Sequence, residues 1–381
     1  MRIATYGQKR IPSREGGVEV VVEELTTRMV QKGHSVTCYN RKGHHVSGKE
    51  FDTSALKEYK GVLLKSVFTL DKKGLAAMTS SWSAALKAAF GKYDVVHVHA
   101  EGPAATCLLP KIFKKRVIVT IHGLDWQRAK WGGFATKYIK WGEKQAAKHA
   151  DEIIVLSKGV QEYFRNEYGR DTTFIPNGVD KPQIKKAQII QSEWNLKKDS
   201  YVLFLGRIVP EKGIRYLLEA WKDINTDKKL VIAGGSSDTD AFMKELKDLA
   251  NDNVIFTGFQ QGEALEELYS NAYLYCLPSD LEGMPLSLLE AMSYGNCCLV
   301  SDIPECAEVV EDKAVLFEKG NVADLRDKLQ DLLNNEEKVC DYKAEAAEYI
   351  LRKYNWDSVV ERTLEIYKIA GKMARDSKPI G

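Results

Sequence analysis

Short apolar runs, bounded by glycine, proline and small polar residues, alternate with longer segments of helical period through the whole 381-residue chain. Alternation of this kind predicts helices laid on the faces of parallel sheets, an α/β class. In the first half the pattern predicts strands at 2–6, 35–40, 61–68, 94–97, 117–121 and 152–156, with helices near 18–32, 75–90, 130–149 and 159–168. In the second half it predicts strands at 201–205, 230–233, 254–257, 272–277, 297–300 and 314–317, and a helix at 241–249. The tail, 355–373, reads as a helix with Trp356 and Ile366 on apolar positions. The length exceeds what one core usually supports, so two domains are expected. The turn-rich Pro176-Asn177-Gly178-Val179-Asp180, followed by polar 181–191, places them at 1–180 and 181–355. No solenoid repeat and no low-complexity segment interrupts them.

Composition excludes several classes. Seven cysteines without C-x-x-C spacing, two of them adjacent at Cys297-Cys298, argue against a disulfide framework and for a reducing compartment. No secretory leader pattern opens the chain and no apolar run approaches about 18 residues, so a cytoplasmic protein without a membrane span is expected. The net charge of +2 hides an asymmetry, because residues 1–180 hold 29 of the 55 basic and 18 of the 53 acidic residues. The first half is therefore expected to meet an anionic surface or acceptor, with Lys72-Lys73 and Lys111, Lys114, Lys115, Arg116 as candidate patches. No nucleic-acid partner is expected.

Chemistry concentrates at strand tips. Downstream of the strand at 272–277, Pro285 suits the first position of a helix and Gly295 the residue past its end. The helix N-terminus, with the amides of Leu286 and Ser287, is a ready anion site. Glu282 on the loop and Glu290 on the helix lie about two turns apart. A phosphate carrying sugars explains this pattern, the amides holding the phosphate and each carboxylate accepting from a hydroxyl. Upstream, the strand at 201–205 runs into G-R-I-V-P-E-K-G, where Arg207 offers a planar fork, Lys212 a movable charge, and Gly213 opens the next helix. The first strand ends in the loop 7–17, whose Gly16-Gly17 precede a helix and allow close approach of a bulky anionic ligand. No G-x-G-x-x-G follows that strand, which disfavours a nicotinamide enzyme.

His122 stands at another strand tip before Gly123, a position more functional than structural. His97 and His99 alternate along one strand without a nearby carboxylate or cysteine, so they read as core residues and no metal site is expected. Trp126, Arg128, Lys130 and Trp131 form an aromatic–basic cluster, equally consistent with a packed helix start and with acceptor binding. Asp238-Thr239-Asp240 spells D-x-D, but Asp240 reads better as a helix N-cap than as a metal ligand.

G-R-x-x-x-E-K-G followed by E-x7-E resembles the retaining, GT-B-type glycosyltransferases of family 4. The N-terminal G-x-x-R-I-P-S-R-E-G-G-V-E-x-x-V-E-E-L and the later H-G-L-D-W-Q-R-A-K-W are similar to a bacterial, rhamnosyltransferase-like subgroup of capsule and cell-wall polysaccharide assembly. Glu15 stands where that subgroup has an aromatic residue and Val18 where it has Phe, departures that bear on which sugar is moved. The resemblance implies two facing Rossmann-like domains, with the last helix, 356–373, crossing back onto the first. It implies a nucleotide diphosphate sugar donor bound by the C-terminal domain and a saccharide or polyprenyl-pyrophosphate-linked acceptor bound by the N-terminal one. The enzyme is then expected at the inner face of the membrane, without a cofactor. His122 is implied beside the anomeric centre, with Gly16, Gly17, Gly258, Leu286, Ser287 and Glu290 on the nucleotide. Arg207 and Lys212 are implied on the diphosphate and Glu282 on donor-sugar hydroxyls. A sugar-nucleotide epimerase on the same fold and a non-catalytic sugar-nucleotide-binding protein are the rival readings.

Overall fold

The computed structural model describes residues 1–45, 48–53, 55–70, 72, 74–127, 132–235 and 240–376. Two compact units result, one of Met1–Asn177 joined by the segment from Trp356, the other of Gly178–Asn355. The first is built on β1 (Arg2–Tyr6), β2 (Ser35–Arg41), β3 (Glu58–Tyr59), β4 (Val62–Val67), β5 (Val95–His99), β6 (Arg116–Ile121), β7 (Glu152–Val155) and β8 (Thr173–Phe174). Their order is β3-β4-β2-β1-β5-β6-β7-β8, parallel throughout except for the β3–β4 pair. The second unit holds β9 (Tyr201–Leu205), β10 (Lys229–Ala233), β11 (Val254–Gly258), β12 (Leu274–Leu277), β13 (Cys298–Ser301) and β14 (Val315–Phe317). These follow the order β11-β10-β9-β12-β13-β14, all parallel.

Helices cover both faces, and the central strands are therefore apolar without alternation: all five residues of β5 and all four of β12 are buried. In each sheet the chain steps outward from the first strand and then returns to its other side. That creates a topological switch between β1 and β5 in the first unit and between β9 and β12 in the second. Crevices outside the carboxyl ends of such strands are where ligands of open α/β sheets bind.

The last helix, Trp356–Asp376, follows the second unit in sequence but packs in the first, against the helix Gly17–Gln31. Its buried side chains Trp356, Val359, Val360, Thr363, Leu364, Ile366 and Tyr367 form one helical stripe. Arg116 fixes it by donating to the Ile366 carbonyl at 2.7 and 3.1 Å. The seven cysteines are unpaired, six of them buried. No described helix is long and apolar enough to cross a membrane.

Some elements differ from the sequence expectation. The chain passes between the units at Asn177–Gly178 rather than after residue 180, because Val179 pairs with Asn355 and donates to the Tyr354 carbonyl. Pro285 is the N-cap of the helix Leu286–Ser293, with extended ψ of 100°, and not its first helical residue. The strands β3 and β8 and the helices Glu101–Ala104 and Leu108–Ile112 were not expected. They are too short to display a period.

Candidate active site

In the second unit, the loops leaving β9 and β12 are pressed together. Gly213 sits at φ +66°, and a Cβ there would lie 1.8 Å from the Pro278 carbonyl oxygen. Only glycine meets both demands. Asp280 N–H donates to the Glu211 carbonyl at 2.9 Å, tying the loops further. Lys212 and Glu282 thereby meet: Nζ lies 2.5 Å from Oε1, with side chains 12% and 8% exposed. Ser279 Oγ donates to the same oxygen at 2.6 Å, and Ser301 Oγ donates to the Ser279 carbonyl at 2.5 Å. A carboxylate so withdrawn from water needs a counter-charge, and Lys212 supplies it. The residue read as a diphosphate ligand and the one read as a sugar ligand are thus an ion pair. Arg207 is half-buried at the tip of β9. Burial, with the charge of Glu282 adding to it, raises the carboxyl of Glu305 nearby.

The helix Leu286–Ser293 begins at the end of this loop. Leu288 and Leu289 N–H both donate to the Pro285 carbonyl, so the amides of Leu286 and Ser287 precede the first intrahelical bonds. Tyr275 OH donates to Ser287 Oγ at 2.8 Å, and Tyr269 OH donates to Glu290 Oε2 at 3.0 Å. Tyr269 is itself stacked on Tyr294, centroids 5.2 Å apart, so Glu290 is held by a rigid platform. Gly295 ends the helix at φ +77°. Gly258 closes β11, exposed, at φ +70°.

In the first unit, Gly7 brings the loop after β1 against β5: at φ +118°, a Cβ there would lie 2.1 Å from the His99 carbonyl oxygen. Glu15 is buried, with Arg10 Nε at 3.3 Å and Lys9 Nζ at 3.7 Å. The acid that departs from the subgroup pattern thus holds the loop's own cations. Gly16 caps the helix Gly17–Gln31, whose first turn already contains Glu19, accepting from Lys9 N–H at 2.8 Å. The N-terminus read as an anion site therefore carries an acid of its own.

His97 and His99 point the same way from β5, rings 4.1 Å apart, and His99 Nδ1 lies 3.1 Å from His122 Nε2. His97 is pinned by Tyr367 OH at 2.6 Å and Thr120 Oγ1 at 2.7 Å. Burial first, then the neighbouring imidazoles, holds His97 down to about 3 and His99 well below the usual histidine range. This neutral stack sets the ring of half-exposed His122. Trp126 lies under Lys140 Nζ, 4.0 Å from its ring centroid. Arg128, Lys130 and Trp131, expected beside it, lie outside the described residues, as does the D-x-D with its capping side chain. Among the described residues, no group of three His, Cys, Asp or Glu is placed to hold a metal ion.

Sequence reading missed Glu101 and Glu143, both fully buried. Glu101 Oε2 accepts from Asp125 N–H at 2.7 Å, fixing the turn that follows His122. Glu143 Oε1 accepts from Tyr163 OH at 2.7 Å and from Tyr168 OH. The remaining oxygens, Glu101 Oε1 and Glu143 Oε2, are buried without a hydrogen-bond partner, and a proton on Glu101 would let it donate to Glu143. Burial, then the charge of Asp125 and the proximity of Glu143, pushes Glu101 well above the usual carboxylate range. A signal was present: Glu143 falls on the apolar stripe of its helix with Ile139, Gly142 and Ala146.

Because the folded state keeps a proton that the unfolded chain releases near pH ~4.3, stability is expected to fall as pH rises from there toward the raised value. Glu101→Gln, which keeps a donor toward Glu143 and an acceptor for Asp125, should flatten that decline. Glu101→Ala should cost about 1–3 kcal/mol, the penalty of stranding buried polar partners. Melting curves of the three proteins from about pH 5 to about pH 9 check this, and parallel slopes for wild type and Glu101→Gln would count against the shared proton.

The chain matches the family described as Glycosyltransferase Family 4 over residues 15–182 and that described as Glycosyl transferases group 1 over residues 185–349. It is 24% identical to an uncharacterised glycosyltransferase of Methanocaldococcus jannaschii over 93% of this chain and 94% of that one. It is 31% identical over 236 residues, 56% of this chain and 58% of the other, to the UDP-Gal:alpha-D-GlcNAc-diphosphoundecaprenol alpha-1,3-galactosyltransferase of Escherichia coli. Sucrose-phosphate synthase of Thermosynechococcus elongatus superposes with a TM-score of 0.83 at 20% identity, covering 98% of this chain and 99% of that one.

Proposed function

The chain belongs to the GT-B glycosyltransferases, with family 4 and group 1 halves in that order, and within them we propose a retaining transferase that moves a hexose or deoxyhexose, such as rhamnose, from a nucleoside diphosphate sugar to a glycan or lipid-linked saccharide of surface polysaccharide. The observation that carries this reading is the cluster at the β9–β12 switch, where Arg207 and Lys212 on the loop after β9 meet the loop after β12, whose Glu282 pairs with Lys212 just before the helix Leu286–Ser293. Cations and helix amides converging on one strand-tip crevice suit a diphosphate.

In the transfer, negative charge builds on the departing nucleoside diphosphate, and donors fixed in advance stabilise it most. Arg207, Lys212 and the amides of Leu286 and Ser287 take that role, with Glu282 keeping the Lys212 ammonium at the strand tip. Glu290, oriented by Tyr269, accepts from ribose hydroxyls, while the edge of the Glu282 carboxylate reads donor-sugar hydroxyls. His122 makes its hydrogen bond near the anomeric carbon. Retention follows from attack on the face the leaving group departs from, a donor phosphate oxygen taking the acceptor proton. Trp126, with Arg128 and Lys130, is assigned to the acceptor. The E. coli relative is named for a diphosphoundecaprenol-linked one, which fits the basic first half and an anionic membrane surface.

A panel of UDP-, GDP- and dTDP-sugars should contain one that raises the melting temperature, ligand at a hundredfold its Kd adding about 2.7 kcal/mol. With that donor and a lipid-linked saccharide, product should form with the donor's anomeric configuration, read by NMR. Turnover should survive EDTA, because cationic side chains and amides neutralise the leaving group. Loss with chelator and return with Mn²⁺ or Mg²⁺ would overturn metal independence. Donor conversion without any acceptor would indicate an epimerase, and binding without turnover a non-catalytic protein.

A further inference from the structure

The helix Leu75–Phe90 is packed the opposite way round from an ordinary surface helix. Its buried face consists of small residues, Ser80, Ser81, Ala84, Ala85, Ala88 and Ala89. Its large apolar residues, Trp82, Leu86 and Phe90, recur every four positions on the outer face and are 40%, 46% and 70% exposed. The stripe continues onto a neighbouring element, since Phe90 meets Phe113 edge-on with centroids 4.6 Å apart and Ile112 beside it is 65% exposed. The helix Gly133–His149 packs against Leu108–Ile112 and adds exposed Phe134 and Trp141. Among the described residues, all exposed large hydrophobics except Ile184 belong to the first unit. Single exposed apolar residues need no explanation, but a contiguous stripe calls for a partner.

The rim identifies the partner's chemistry. Lys87, Lys114, Lys137, Lys140, Lys144 and Lys148 are exposed on the same three helical segments and their ends. Acids between 75 and 150 are Asp94, Glu101, Asp125 and Glu143, of which two are buried and Asp94 is paired with Arg2. A second copy of the chain would bring one lysine rim against another with no carboxylates to answer it. An anionic bilayer answers both features, acyl chains for the stripe and headgroups for the lysines.

We propose that this face is a lipid-inserting surface, with Trp82, Leu86, Phe90, Ile112 and Phe113 entering the headgroup–acyl boundary of an anionic membrane. It rests on the reading of the basic unit as membrane-facing, and replaces attachment by charge alone with attachment by apolar insertion between charges.

The full chain is mixed with vesicles of phosphatidylglycerol and phosphatidylcholine. The difference in tryptophan emission between wild type and Trp82→Phe isolates Trp82. That signal should shift to the blue on binding and be quenched by lipids brominated on their acyl chains. Leu86→Gln/Phe90→Gln should bind about tenfold more weakly or worse, while turnover on a soluble acceptor and melting temperature stay at wild-type values. Wild-type binding should persist in part at high salt, where purely electrostatic attachment is screened. If the double variant binds as tightly as wild type and Trp82 is not quenched, insertion is overturned while electrostatic attachment stands. If wild type binds neither anionic nor neutral vesicles, both fail. Self-association without vesicles that Phe90→Gln abolishes would assign the stripe to a second copy and also overturn the proposal.

Discussion

Arg207→Ala is expected to lower turnover by roughly two orders of magnitude or more, the loss typical of removing one preorganised donor from a developing anion. Lys212→Ala should match it, but by a less simple route. Its ammonium is the counter-charge of Glu282, which is only 8% exposed. Stranding a carboxylate there costs about 3–5 kcal/mol, so the melting temperature should drop with activity. Arg207→Ala keeps both members of that pair and should lose turnover without stranding the Glu282 carboxylate. The double variant Lys212→Met/Glu282→Gln separates the two effects. It should recover stability, because no buried charge is left alone, without recovering turnover, because the cation is gone. Steady-state rates beside melting curves for the three proteins check the assignment. Near-normal turnover in Arg207→Ala and in the double variant would remove the diphosphate from this corner.

The sequence made legible what depends on local pattern. Strands buried on both faces, such as Tyr201–Leu205, read as unbroken apolar runs, and Gly213 and Gly295 marked where the chain needs positive φ. Two-residue strands such as Thr173–Phe174 carry no period and escaped. Within the candidate site, Lys212 and Glu282 were singled out because each lies on a loop past a strand tip with glycines around it, and Glu290 because it follows on the next helix. Their partnerships were not, because sheet order sets them. Lys212 and Glu282 are 70 positions apart, and His97 and Tyr367 are 270 apart. Spacing along one chain holds no record of which tips become neighbours. Glu15 shows the other limit: its departure from the pattern was visible, but that it would hold Arg10 and Lys9 was not.

His122→Ala is expected to lower kcat by about a hundredfold while leaving affinity for the free nucleoside diphosphate near wild type. The reason lies in where its hydrogen bond acts. A contact near the anomeric carbon strengthens as the glycosidic bond breaks, and only interactions stronger in the transition state than in the ground state raise turnover. The structure fixes the orientation of the His122 ring, whose Nε2 lies 3.1 Å from His99 Nδ1, His99 being stacked on His97 and kept neutral by burial. Glu290→Ala should behave in part the opposite way. Losing the carboxylate that Tyr269 orients removes ribose contacts, so the nucleotide should bind more weakly in calorimetry whether or not a sugar is attached. A packing role predicts something else: His122→Ala would melt at lower temperature with turnover per folded molecule preserved. That result would take His122 out of the site and leave Glu282, already committed to Lys212 and Ser279, as the main side chain for reading the donor sugar.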